Sequence, residues 1–360
     1  MADWDFVRVP AAVTVDFQVN QVAILFNGMQ LLGEHDHYSG LDNWLVETAH
    51  SFTDEQMQTH RLVFHHFGHM LDKTGVDTFL RLMEHLQQSD PRMLLNDAIS
   101  WMDKKEDSPG KKALLADVET YIAFLTEMYS HKGKDPEEHL DDAVMREVHY
   151  LMKHPDELRD RMVAHLQWLW DTHLAAEWRK REAALLESAD AFSQLSYAGM
   201  DGFEIVEAIS GRDMRGMDDF SKKIEDAHQL IFMPSPYVGP YIGYWPRSDN
   251  RLILFFRLRQ PVGNIGSPAL NRADLLVRLN ALADETRLQM VDLLHEHGEL
   301  CAQDFIEKLD LSQSSASRHL RQLTASGYLT VRRRDTAKCY TLSEDRIKDT
   351  LKALTRFLHG

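Results

Sequence analysis

Ser314, Ser317, Arg318 and Arg321 recur at helical spacing within Leu311-Ser-Gln-Ser-Ser-Ala-Ser-Arg-His-Leu-Arg-Gln-Leu323. Short hydroxyls beside guanidiniums are the groups that reach phosphates and base edges. On the other side of the same helix Ala316, Leu320 and Leu323 fall at i, i+4 and i+7 and form an apolar stripe. The chemistry available to such a helix is recognition of a duplex rather than bond making. Its first turn, with Gln313, Ser314 and Ser315, is placed to meet phosphates and base edges, and Arg318 and His319 are set for deeper contacts. Gln313 suits adenine and Arg318 suits guanine where a bidentate pair forms.

The neighbouring residues supply the elements that would position this face. Ser312 is a good N-cap, and Gly327 suits the left-handed residue past the last turn. Residues 328–334 then read as a β-branched strand, 335–337 as a turn and 338–342 as a returning strand, which brings Arg332, Arg333, Arg334 and Lys338 onto one basic hairpin. Upstream, Asp284 caps a helix that Gly298 stops near His297. A short helix over 302–309, with Phe305 and Leu309 four apart, crosses the reading helix after the tight connection Asp310-Leu311. After Ser343, a last helix aligns Ile347, Leu351, Leu354 and Leu358 on one face, a stripe that wants a partner. A helix-turn-helix followed by a basic hairpin is a winged helix.

Leu279-Asn-Ala-Leu-Ala-Asp-Glu-Thr-Arg-Leu288, Leu311-Ser-Gln-Ser-Ser-Ala-Ser-Arg-His-Leu320, Ser326-Gly-Tyr-Leu329 and the Tyr340 strand, in this order, resemble the ArsR/SmtB (arsenical-repressor) winged-helix family over about residues 273–358. The resemblance implies a homodimer, paired through the helix at 275–283 and the terminal helix, that offers two reading helices to a two-fold operator in double-stranded DNA. It also implies metal sites that this chain does not keep. Where some members have Glu-Leu-Cys-x-Cys, Glu299-Leu-Cys-Ala-Gln303 retains one thiol, and the terminal helix offers Asp345, Ile347 and only His359 for the other site. One thiolate is a poor site for a soft metal, so no metal or other cofactor is expected here, and Cys301 reads as a helix N-cap.

Charge divides the chain. Of 40 Lys plus Arg and 56 Asp plus Glu, 14 and 13 lie after residue 271, which leaves 26 and 43 in residues 1–271. The acidic part is unsuited to hold DNA, while screening lets a local basic wing act within about 10 Å. With 360 residues and 44% apolar content the chain should bury two or three cores. Two cysteines argue against a disulfide framework, and with neither a cleavable leader after Met1-Ala-Asp-Trp nor an apolar run of spanning length, a cytoplasmic protein without a membrane partner is expected.

The fold expected is mainly α with small β elements: a large helical N-terminal domain with a small antiparallel sheet, followed by a C-terminal winged helix-turn-helix domain. Helical patterns cover 21–32, 54–71, 76–88, 111–129, 136–152 and 156–190, with breaks at Asp90-Pro91, Ser108-Pro-Gly110 and His154-Pro155. Three strands, 229–233, 241–245 and 251–257, are expected to form the sheet. The expected boundaries are 1–202 for a helical regulatory region, 203–262 for an α/β segment of the same domain, 263–272 for a linker and 273–360 for the winged helix.

The body should sense a signal, because a dimer is switched only by something that prefers one of its states. Tyr237, Tyr241, Tyr244 and Trp245, beside Pro234, could wall a pocket for a small-molecule effector, although such aromatics are more often core. His65 and His69, at i, i+4 in a cluster with His60 and His66, could offer two imidazoles to a metal or haem with His35-Asp-His37 as a second contribution, against the blander reading of hydrogen-bonded histidines. His173 and Glu177 are a weaker pair. Without a phosphate loop or a nucleophile elbow the chain does not read as an enzyme. The remaining alternative is a scaffold whose body recruits another protein while the winged helix only dimerises.

Overall fold

The structure is a computed structural model, and it describes residues 13–72, 75–103, 108–131, 140–215, 218–247, 249–261, 272–334 and 337–359. Most of the expected linker, 263–271, and the Asp335-Thr336 turn lie outside the described residues. After strand β1 (Thr14–Phe17) come α1 (Gln21–Gly33), α2 (Asn43–Ser51), α3 (Asp54–Arg61), α4 (Gly68–Asp72), α5 (Phe79–Gln88), α6 (Pro91–Ala98), α7 (Lys111–Ala116), α8 (Val118–His131), α9 (Asp142–Lys153) and α10 (Pro155–Leu169). The chain continues with α11 (Ala175–Ser193), α12 (Gly202–Ser210), α13 (Asp218–Asp226), β2 (Gln229–Ser235), β3 (Gly243–Pro246) and β4 (Arg251–Arg257). The C-terminal part holds α14 (Arg272–Leu282), α15 (Glu285–His297), β5 (Glu299–Cys301), α16 (Ala302–Leu309), α17 (Gln313–Ala325), β6 (Leu329–Arg334), β7 (Ala337–Leu342) and α18 (Glu344–His359). The fold is mainly α with small sheets and a C-terminal winged helix. No helix among the described residues is long and apolar enough to cross a membrane.

Two compact units emerge. A helical unit comprises Asn20–Gly33 and Glu47–Lys180; a mixed unit comprises Met1–Val19, Glu34–Val46 and Arg181–Gly360. An unforeseen strand ties distant parts of the mixed unit together. Thr14–Phe17 pairs in parallel with Gln229–Phe232, so the chain start belongs to the distant sheet. That sheet, ordered β1-β2-β4-β3, corrects a second expectation: β1, β2 and β4 are mutually parallel, and only β3 runs antiparallel to β4. β2 and β4 read as near-continuous apolar runs because both are buried, as interior parallel strands are. Leu230, Phe232, Leu252, Leu254 and Phe256 point from one face into a core closed by Ile205, Val206 and Ile209 of α12 and by Phe220 and Ile224 of α13.

In the helical unit, two of the long patterns contain a turn wound more widely than an α-helix. Leu62–His66 and Trp170–Leu174 are π-helical turns. Each inserts a residue into the helical register, so a spacing argument run straight across it misplaces the residues beyond. His60 and His165 are buried between these helices, with His60 Nδ1 3.2 Å from His165 Nε2 and His60 Nε2 2.7 Å from the Met29 carbonyl. A carbonyl only accepts, so His60 Nε2 donates to it and His60 Nδ1 receives the proton of His165 Nε2.

The winged helix has its own core, in which Met290, Leu294, Phe305, Ala316, Leu320, Leu323, Tyr328 and Leu329 are all buried. Truncating Leu294, Phe305 or Leu320 to alanine costs about 2–5 kcal/mol. Its sheet has the order β5-β7-β6 and is antiparallel throughout. The three-residue β5 sets Cys301 directly opposite Cys339, and the two are joined by a disulfide. This corrects the expectation drawn from cysteine number alone, because only the pairing of β5 with β7 brings the two together.

Candidate nucleic-acid interface

α17 is built as its sequence requires. The Ser312 hydroxyl accepts the Ser315 N–H at 3.1 Å, and Gly327, at φ +82°, ends the helix while Tyr328 N–H donates to the Leu323 carbonyl at 3.0 Å. The helix before it, α16, stops at Asp310, which takes φ +50° and makes the tight turn of the helix-turn-helix. Cys301 stands at the N-cap of α16, and its N–H donates to the Asp304 carboxylate at 2.7 Å.

Asp284 caps α15 by accepting the Arg287 N–H at 3.0 Å. The Arg287 side chain turns back and donates to the Ala281 and Asn280 carbonyls, closing the C-terminus of α14. This positioning role of Arg287 went unread in the sequence. Its i, i+3 spacing from Asp284 was the available signal.

Gln313, Ser314, Ser317 and Arg321 form a continuous exposed strip on α17, with Ser315 and Arg318 half-buried at its border. His319 does not join them. It is turned inward, with Nδ1 3.6 Å from the Asp284 carboxylate, and burial pushes its pKa down although Asp284 opposes the shift. The expectation of a deep base contact from His319 is therefore corrected: on a helix this residue shares a face with the buried Ala316 and Leu323, at i−3 and i+4, and not with Arg318.

In the wing, Arg333 lies opposite Lys338 across β6 and β7, and both belong to the sheet face that carries Val331 and Tyr340 into the core. Arg332 and Arg334 belong to the other face. Arg332 is ion-paired with Glu299 of β5 and holds that carboxyl below its usual range. Half of the basic run is therefore directed to the side away from Arg333, and one of its guanidiniums is already neutralised within the domain.

On the terminal helix, Ile347 packs on the domain's own core, Leu354 is half-buried, and Leu351 and Leu358 are 57% and 67% exposed. α18 packs against α14, where Arg278 donates to the Thr350 hydroxyl and Leu276 is exposed.

The other sequence candidates do not assemble into a site. Tyr244 and Trp245 are consecutive on β3 and point to opposite faces: Tyr244 packs edge-on to Phe220 at 4.9 Å, Trp245 edge-on to Phe255 at 4.7 Å. Tyr237 is tilted against Trp44 at 5.7 Å and Tyr241 stands edge-on to Tyr38 at 5.0 Å. His65 Nε2 is 3.1 Å from the Gln30 carbonyl, which satisfies it, and the His69 side chain lies outside the described residues. His35 and His37 belong to the mixed unit and the His60 to His69 cluster to the helical one. Among the described residues no group of three or more His, Cys, Asp or Glu side chains stands where it could hold a metal ion.

Comparison with known proteins bears on this same domain. The family described as bacterial regulatory protein, arsR family, matches residues 284–331. The chain is similar to the transcriptional activator HlyU of Vibrio cholerae, at 34% identity over 93 residues that make up 26% of this chain and 85% of that protein. It is similar to the arsenical resistance operon repressor of Escherichia coli, at 52% identity over 62 residues, 17% of this chain and 53% of that one. Among solved structures, HlyU from Vibrio cholerae is 35% identical and covers 24% of this chain and 91% of its own, with a TM-score of 0.20. With Asp284, the helix-turn-helix and the start of β6 inside the matched span, and with 85% of a relative covered at 34% identity, this chain belongs to the arsR family of bacterial regulatory proteins.

Proposed function

We propose that the protein is a homodimeric, sequence-specific repressor of transcription that binds a two-fold operator in double-stranded DNA. Its body biases the dimer between bound and released states in response to a small-molecule or protein effector. The observation that carries this reading is the exposed strip Gln313, Ser314, Ser317 and Arg321 on a helix whose other sides are buried, with Arg333 and Lys338 exposed at the adjoining wing. Such a helix enters a major groove while the wing arginine and lysine grip flanking phosphates.

Dimerisation is supported by the exposed leucines that the packed pair α14 and α18 presents. Leu276, Leu351, Phe357 and Leu358 are large apolar side chains in water in the single chain, and a second copy would cover them. The relatives' names include both repressors and an activator. Repression is the simpler reading for this chain, since a dimer seated on a promoter blocks it without further contacts.

The test is selection of bound fragments from a genomic pool that includes the region upstream of its own gene. The full-length protein is expected to enrich fragments sharing an inverted repeat. Enrichment of none, by a protein shown to be folded and dimeric, would contradict the reading and leave a scaffold whose winged helix serves only to dimerise.

A further inference from the structure

α17 has a third face that its sequence does not announce. His319, Gln322 and Ser326 recur at i, i+3 and i+7, and they are only 7%, 3% and 7% exposed. His319 Nδ1, Gln322 Oε1 and Ser326 Oγ have no hydrogen-bond partner among the described residues, and the Asp284 carboxylate stands 3.6 Å from His319 Nδ1. A buried polar atom left unmatched is costly, and a cover that stayed in place permanently would be expected to match such atoms or to lie over apolar ones. This pattern fits a cover that comes off.

Over Gln322 the cover comes from outside the winged helix, from the segment Glu34–Val46 of the mixed unit. Arg321 donates to the His37 carbonyl at 2.7 Å, and its guanidinium carbon lies 4.8 Å from the centre of the Tyr38 ring. Tyr38 stands edge-on to Tyr241 at 5.0 Å, and the Tyr241 hydroxyl donates to the Ser39 carbonyl at 3.0 Å. Gly40, at φ +79°, leaves no slack, since a Cβ there would come within 3.3 Å of Gln322 Nε2. One at Gly239 would meet the Gly40 carbonyl oxygen at 2.2 Å. The segment is thus clamped between the β2–β3 loop and the reading helix.

We propose that residues 37–40 form an autoinhibitory latch on the DNA-reading helix, engaging Arg321 through Tyr38 and His37 and covering Gln322 until a signal withdraws them. The proposal rests on α17 being the helix that reads DNA. Arg321 is the guanidinium of the exposed strip, and while it is held by a carbonyl and a ring it is withheld from a phosphate. The chain gives the signal a route, because the segment is joined to the helical unit at both ends, after Gly33 and before Glu47. An event that displaces α1 or α2 would pull on the latch.

The test uses the full-length protein and two variants, Tyr38→Ala and Tyr241→Phe, each checked for folding by thermal unfolding. The second removes only the hydroxyl that holds Ser39. On the DNA recovered by selection, Tyr38→Ala should bind about fivefold more tightly or better, the fold-change equivalent to one cation–π contact, with a steeper salt dependence as Arg321 regains a phosphate. Tyr241→Phe should shift affinity the same way by less, and operator DNA should raise hydrogen exchange at residues 37–40 of the unaltered protein. Recovery of a site by Tyr38→Ala alone would also support the latch. If the unaltered protein selects a site and both variants bind it equally or more weakly, or exchange at 37–40 is unchanged, the latch is overturned while the DNA-reading assignment stands. If no form of the protein selects DNA, both fall.

Discussion

Arg318 and Arg333 are both arginines on a candidate DNA surface, yet their positions give them different work. Arg318 is half-buried at the border of the reading strip, where under the proposed function its guanidinium reads a base. Arg333 is exposed near the end of the hairpin, opposite Lys338, where it can meet any phosphate. Replacing Arg318 with alanine should cost about 1–3 kcal/mol at one base position per half-site and leave other sequences little affected. Arg333→Ala should weaken every sequence alike and reduce the slope of log affinity against log salt by about one unit per lost contact, two per dimer. Titration of operator variants at several salt concentrations separates the two, and equal effects of both variants on all sequences would contradict the division. His319 shows the limit of residue-level reading: its type fits a base contact, but its place one residue past Arg318 turns it toward Asp284.

At the scale of elements, the helix-turn-helix was almost fully legible because each of its ends carries its own signal. Asp284, Ser312, Gly298 and Gly327 mark termini through local capping, and the predicted helix over 302–309 is the one observed. What was not legible depended on partners far away in sequence. β1 is a four-residue strand whose pairing lies more than two hundred residues on, β5 is three residues long, and strand direction in the larger sheet follows from how β3 takes the outer edge. Of the four aromatics expected to wall an effector pocket, Tyr244 and Trp245 are neighbours in sequence but lie on opposite faces of a strand, which sequence proximity conceals.

The histidines of the helical unit lead instead to a stability prediction. Burial holds His60 well below the usual histidine range and His165 at about 4. The folded values lie below the unfolded one, so the unfolded chain binds more protons. The pair's contribution is full above pH 6.5 and is lost as pH falls from 6.5 toward 4, by roughly 3 kcal/mol for His165. Denaturant midpoints followed by tryptophan fluorescence should fall over that window, and His165→Phe should flatten the fall. An unchanged midpoint between pH 7 and 5 would contradict the buried, neutral pair.

For the whole molecule, the acidic body and the nearly neutral reader divide the work that a regulator requires. Residues 1–271 carry a net charge of −17 where the whole chain carries −16, so under the proposed function attraction to DNA is local to α17 and the wing and is short-ranged at physiological salt. The family's thiol pair is reduced to Cys301, which is bonded to Cys339 in the domain's own sheet, and the proposed function therefore assigns the switch to the body. The segment at 37–40 gives the body a physical hold on the reader.

The central claim, that two copies of α17 read a two-fold site, is tested most directly by a hydroxyl-radical footprint of the full-length protein on its selected DNA. Two protected tracts related by symmetry, with centres about 10 base pairs or a multiple of that apart, are predicted. A single unsymmetrical tract spanning one half-site, or uniform protection without a boundary, would contradict it.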